Sequence, residues 1–186
     1  MLLNKNALRR AAVALALPPL LAACTAAPSP GPSASSTPTP SPTMTSTTLS
    51  PAEQDLANAE QAVVKLWAVV DRLTNDPQAS LQELDTVTSG KVRTFFQENV
   101  MSYRAQGWIG SGTTSVEPEA VELAGTNAQG LTTWTVTACI DASGTTLVDS
   151  SGKSMQTPPY RIRHRSAVIQ RSGLLLVAED EVLGTC

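Results

Sequence analysis

From position 50 onward the apolar positions keep one rhythm and then change to another. Leu56, Val63, Leu66, Trp67, Val70 and Leu73 recur at steps of three and four, which puts them on one face of an α-helix. Ser50-Pro51-Ala52-Glu53 marks the start: Ser50 caps, Pro51 suits the first helical position, and Glu53 completes a capping box. Asn75-Asp76-Pro77 marks the stop. Ser80 to Val87 predicts a short helix with Leu81 and Leu84 turned inward. A third helix is expected from Gly90 to Ala105, with Val92, Phe95, Phe96, Val100 and Tyr103 as its apolar side and Gly107 as its stop. Beyond it the period falls to two. Val121 and Leu123 alternate with polar residues, as does the Thr-rich stretch from Leu131 to Asp141. Tyr160 to Arg171 and Leu174 to Leu183 flank Ser172-Gly173, a two-residue hairpin turn. Helices followed by antiparallel strands predict an α+β domain with the helices on one face of the sheet.

Alternation across the Ser172-Gly173 turn assigns faces. With Arg171 opposite Leu174, an unbroken ladder sets Arg165 against Asp180 and His164 against Glu181. Tyr160, Ile162, His164, Ser166 and Val168 then share the apolar face with Leu175, Val177, Glu179, Glu181 and Leu183. Arg161, Arg163, Arg165 and Asp180 take the wetter one. In the preceding strand, Trp134 under the helices puts Cys139 on the wetter face, and the same parity puts Cys186 there. A single bulge inverts any of these assignments.

Before position 50 no such rhythm exists. Lys5, Arg9 and Arg10 precede an uncharged run from Ala11 to Ala22, too short to span a bilayer and suited to a signal peptide over 1–23. The run ends in Leu21-Ala22-Ala23-Cys24, which resembles the lipobox of bacterial lipoproteins. That resemblance implies a diacylated Cys24, a palmitate-type lipid anchor and a domain facing outside the cytoplasm, with the export route open. Two acyl chains anchor stably where one is marginal. Residues 25–50 hold six Pro among 14 Ser and Thr with no charged side chain, the composition of a disordered linker. At about 3.1 Å per residue it reaches roughly 80 Å when fully extended. What remains, 51–186, is one domain of ordinary size.

Composition narrows the function. The whole chain carries a formal charge of −3, and loss of the three leader cations makes it −6, which disfavours nucleic acid and anionic lipid as partners. One His and three Cys argue against a Cys/His zinc site, and no cofactor motif is present. The expected contacts are the membrane, through lipid on Cys24, and an envelope protein or wall component. The oligomeric state, a dimer included, stays open. With Cys24 lipidated in an oxidising compartment, Cys139 and Cys186 are left to pair; two free or intermolecular thiols are the alternative.

Arg104-Ala105-Gln106-Gly107-Trp108, Ala138-Cys139-Ile140-Asp141-Ala142-Ser143, Asp149-Ser150-Ser151-Gly152-Lys153 and the terminal Gly184-Thr185-Cys186 fall in one order. Together they resemble exported lipoproteins of high-GC Gram-positive bacteria whose domain is similar to nuclear transport factor 2 and ketosteroid isomerase. The resemblance implies a cone-shaped fold, helices on a curved sheet around a pocket, and no particular activity. Related chains tend to carry a Trp in the last hairpin, where this one has Leu174 to Leu176.

The chemical candidates are few. His164 beside Glu181, with Ser166 and Glu179 one pair along, is the arrangement a general base requires; the competing reading is a solvated rim. A Ser166-His164-Glu179 triad lacks a nucleophile elbow and an oxyanion hole. Gly152-Lys153-Ser154 lacks phosphate-loop spacing, and Asp141 and Asp149 lack calcium-loop spacing. The Arg161, Arg163, Arg165 row either contacts anionic wall polymer or is an ordinary outer strand face. Trp67, Trp108 and Trp134 are the residues around which a pocket is expected. Two function classes follow: a noncatalytic binding or accessory module of the envelope, and a small isomerase- or dehydratase-like enzyme working through His164 and a Glu.

Overall fold

The structure is a computed structural model and describes residues 49–186. The expected signal peptide, Cys24 and nearly all of the expected linker lie outside the described residues. Helix α1 runs Pro51–Asn75, a 3-10 turn Leu81–Thr86, and α2 Gly90–Ala105. Strands follow as β1 (Ile109–Gly112), β2 (Ser115–Thr126), β3 (Thr132–Asp141), β4 (Thr145–Val148), β5 (Arg161–Arg171) and β6 (Leu174–Thr185). No helix among the described residues is long and apolar enough to cross a membrane.

The helix signals act as the sequence requires. The Ser50 hydroxyl accepts from Glu53 N, and the Ser50 amide donates to the Glu53 carboxylate, closing the capping box. The inward face of α1 contributes Ala59, Ala62, Val63, Leu66 and Leu73 to a core shared with Val92, Phe96 and Val100 of α2. The sheet supplies Trp134, Val136, Val168 and Val177. Each of these large side chains is worth about 1.5–3 kcal/mol when fully buried, so this layer holds the helices to the sheet. Arg104 locks the helical layer from behind. Its guanidinium donates to the carbonyls of Leu73, Asp76 and Ala79 at 3.2, 3.3 and 2.9 Å at the end of α1 and in its exit loop, the Asp76 carbonyl also accepting from Ala79 N at 3.0 Å.

The main sheet has the antiparallel order β2-β3-β5-β6, open at both edges. Register shifts at Pro118/Ala120 and Leu123/Gly125 in β2, and at Arg163/His164 and Ala167/Val168 in the last hairpin, accentuate twist and bend it around the helices. This is the expected α+β arrangement, with helices on the inner face of a curved, unclosed sheet. A second, two-stranded sheet of β1 and β4 has no counterpart in the sequence pattern. It packs so tightly on α1 that a Cβ on Gly110 would lie 2.7 Å from Thr74 Cγ2. Asn75 Nδ2 donates to Gly112 O at 2.8 Å across the same contact.

The hairpin turn forms at Ser172-Gly173, both with positive φ (53° and 79°), as a primed turn demands. Arg171 faces Leu174 and Ile169 faces Leu176, as expected. Beyond Val177 the unbroken ladder fails. Ala178 is extra, Ala167 pairs with Glu179, Ser166 with Asp180, and Arg165 with Glu181. The bulge therefore corrects both expected pairs: Arg165 binds Glu181, and His164 does not meet Glu181. Asp180 turns inward, while Glu179 and Glu181 are exposed. In the last hairpin, Leu176 is buried and Leu175 packs partly against the core.

Cys139 and Cys186 are joined, with Cα atoms 6.0 Å apart. The sheet face that carries them is less wet than expected, since Cys139 is buried. Beside it, Arg161 binds Glu117 and Asp141, Arg163 binds Glu119, and Arg165 binds Glu181. All three arginines have carboxylate partners, so the row presents no uncompensated cationic stripe.

Candidate functional site

The bulge in β6 lies beside a long-range backbone contact. The segment Val87–Ser89 lies along the outer edge of β6 and exchanges two backbone bonds with Val177: Val177 N to Val87 O at 2.9 Å and Ser89 N to Val177 O at 3.0 Å. Val177 is thus held on both sides, and the extra residue appears immediately after it.

The inward turn at Asp180 creates the most polar spot on the inner face. Asp180 Oδ2 is 2.8 Å from His164 Nδ1, and Asp180 Oδ1 accepts from Ser166 Oγ at 2.7 Å. His164 and Ser166 are buried. Since a carboxylate can only accept, Nδ1 carries the proton and Nε2 is left as the second functional atom of the ring. Nε2 has no hydrogen-bond partner among the described residues. The imidazole stands edge-on to Trp67 (5.6 Å, 84°), and Trp67 edge-on to Phe96 (5.7 Å, 85°), which in turn meets Phe95 (5.2 Å, 76°). Trp67 Nε1 is buried without a partner, a cost of about 1–3 kcal/mol unless something else satisfies it.

A half-open cleft of about 640 Å³ lies between α2 and β6. Lys91, Val92, Phe95 and Phe96 form one wall; Ala178, Glu179, Asp180 and Val182 form the other, with His164 also lining it. The lining is mostly apolar, and Phe95 and Val182 at its mouth are 59% and 61% exposed. A smaller cavity of about 260 Å³ between Tyr103 and the 155–162 segment also touches His164.

The candidate residues now have places. His164 and Glu179 line the cleft; Glu181 does not, being occupied by Arg165 on the other face at an exposed position. Trp67 backs His164, Trp134 is buried in the core, and Trp108 stacks on Tyr103 past the end of α2 (5.6 Å, 23°). Asp180 and the α2 wall were missed. The available signal was the run Glu179-Asp180-Glu181 itself, in which one residue in three must take the opposite face and alternation alone does not say which way the register falls. Ser166 bonds to Asp180 rather than to His164, so no hydroxyl is activated by the imidazole. Among the described residues no cluster of His, Cys, Asp and Glu could hold a metal.

No protein-family model matches the chain, and no curated protein does. Solved structures do resemble it. The intermembrane-space region of the chloroplast protein ARC6 aligns with a TM-score of 0.51 at 18% identity, over 70% of this chain and 98% of that one. A periplasmic fragment of TraM aligns at 0.43 and 12% identity, over 73% and 98%. The Mtr2–Mex67 M domain complex of C. albicans aligns at 0.40 and 12% identity, over 72% and 99%. Of these three only the first is strong enough to speak for the fold, and it speaks for the fold alone.

Proposed function

We propose that this chain is an extracytoplasmic lipoprotein, anchored through Cys24, whose domain is a noncatalytic binding module using the α2–β6 cleft as its binding surface. The observation that carries this reading is the cleft itself: an apolar, half-open channel of about 640 Å³ with one oriented polar group, His164, in its lining. The Leu21-Ala22-Ala23-Cys24 motif supports the anchor, and the Pro-, Ser- and Thr-rich 25–50 stretch supports a spacer that carries the cleft away from the lipid. The kinship with high-GC Gram-positive lipoproteins belongs to the same reading and rests on the short motifs in the sequence.

A neutral fluorescent probe, N-phenyl-1-naphthylamine, tests the cleft in the full chain bearing Cys24→Ser. Saturable fluorescence enhancement that is lost in Phe95→Asp supports the reading, because Phe95 is exposed and its replacement leaves the core intact. An enhancement that does not saturate, or is the same in both proteins, refutes it. Incorporation of a palmitate analogue into the wild type and not into Cys24→Ala tests the anchor.

One observation favours a second reading. The Asp180–His164 pair fixes the tautomer and leaves Nε2 available to take a proton from a bound carbon or oxygen acid, as isomerase and dehydratase chemistry requires. Nothing else in the lining is placed to stabilise the anion that would form, apart from Lys91 on the opposite wall.

A further inference from the structure

We infer that the edge of β6 beside α2 is a strand-addition site that takes an extended polypeptide of net positive charge; this deepens the reading of the cleft given above and rests on it. β6 is the last strand of the main sheet. Its outer edge is already used at one point, where Val87–Ser89 bonds to Val177 as the beginning of a parallel fifth strand. That added strand is cut short at Gly90, whose φ of +55° leaves extended space and swings the chain into α2. From Ala178 to Thr185 the strand has no further backbone partner on that side among the described residues. What remains is a row of edge amides and carbonyls on one side of a channel and a helix on the other, which is the geometry of strand addition. Side chains of an added strand would meet Val92, Phe95 and Val182, two of them already exposed to solvent.

The opposite edge is built to refuse such a partner. β2 carries Pro118, two register shifts, and Glu117, Glu119 and Glu122 along its length. β6 has two register shifts and the acidic run Glu179-Asp180-Glu181 of its own but no proline, and Val182 and Leu183 are 61% and 43% exposed at adjacent positions.

The occupant is constrained by composition and charge. In the chain's own 25–50 segment, six prolines remove ladder donors across 28–42, and the proline-free 43–50 carries no cation to meet the acidic run of β6. A second copy paired β6 to β6 would set Glu179-Asp180-Glu181 beside the same run, with both copies net acidic. An outside segment with alternate apolar residues and at least one Lys or Arg fits instead. Glu179 lines the cleft with no ion-pair partner among the described residues and is the carboxylate it would meet.

The test uses a phage-displayed random peptide library selected on the full chain bearing Cys24→Ser, followed by synthesis of the enriched peptides at about 6 residues, the usual strand length. Proline-free sequences with apolar residues at alternate positions and a Lys or Arg are expected. N-methylating alternate amides on one edge of such a peptide should weaken it by at least about tenfold, and on the other edge by much less, since only one edge faces β6. Glu179→Lys should weaken basic peptides and favour acidic ones. Equal tolerance of methylation on both edges would overturn strand addition. So would saturable binding of N-phenyl-1-naphthylamine with no enriched peptide, which leaves the cleft a small-molecule site. Failure of both probes would remove the cleft reading as well.

Discussion

The register of β6 can be tested by comparing two neighbouring acidic residues. Asp180→Ala removes a carboxylate that accepts from His164 at 2.8 Å and from Ser166 at 2.7 Å, leaving two buried donors unpaired. Each unsatisfied buried donor costs about 1–3 kcal/mol, and partial relief by water or hydroxyl rotation puts the total at about 2–4 kcal/mol. Against a domain stability of roughly 5–15 kcal/mol, that is a large fraction. Glu181→Ala removes only an exposed ion pair with Arg165, worth about 0–1 kcal/mol. Urea unfolding followed by far-UV circular dichroism measures both. An unbroken hairpin ladder, with His164 against Glu181, predicts the reverse order. If Glu181→Ala costs more than Asp180→Ala, the bulge and the cleft wall built on it are wrong.

Three further outcomes follow from the fold. Reduction of Cys139–Cys186, which closes a loop with a sequence separation of 47, should lower stability by about 4 kcal/mol, read as a drop in urea midpoint on adding reductant. Arg104→Met should cost about 2–4 kcal/mol by stranding the carbonyls of Leu73 and Ala79, with Arg104→Lys recovering part of it in the same assay. Stability should also fall in acid. The Arg163 guanidinium holds Glu119 below the ordinary carboxylate range, Arg93 does the same for Asp85, and the Ser143 and Ser151 bonds do so for Asp141 and Asp149. These groups bind fewer protons folded than unfolded, so their contribution is complete above the unfolded carboxylate values near 4 and is lost as pH falls below them. The urea midpoint should drop across that interval, with a shallower slope in Arg163→Gln; a midpoint that rises in acid would contradict the assignment.

How much was legible depended on whether the cause was local. Ser50, Pro51 and Glu53 announce α1 because capping is settled within one turn. Ser172-Gly173 announces the last hairpin because a two-residue turn needs positive φ at both positions. Periodicity and the Gly107 stop bound α2, and alternation puts Trp134 and His164 on the inner face, where His164 is buried and not on a solvated rim. The extra residue at Ala178 is not legible in this way, because it is associated with a segment some ninety residues earlier that pins Val177 from outside. One unpaired residue moved Asp180 to His164 and sent Glu181 to Arg165, so the partner of the candidate histidine was misread by one position. β1 and β4 were invisible for another reason: four residues each, one of them Ile109-Gly110-Ser111-Gly112, show no alternation.

The most direct test of the binding surface is photocrosslinking in intact cells. A photoreactive residue replaces Phe95 at the mouth of the cleft in one version of the full-length protein. In another it replaces Leu123, equally exposed but on β2, the strand at the opposite edge of the sheet. Specific adducts at position 95 and none at 123 are the predicted result. Adducts at 123 with none at 95 would place the binding surface elsewhere and contradict the account.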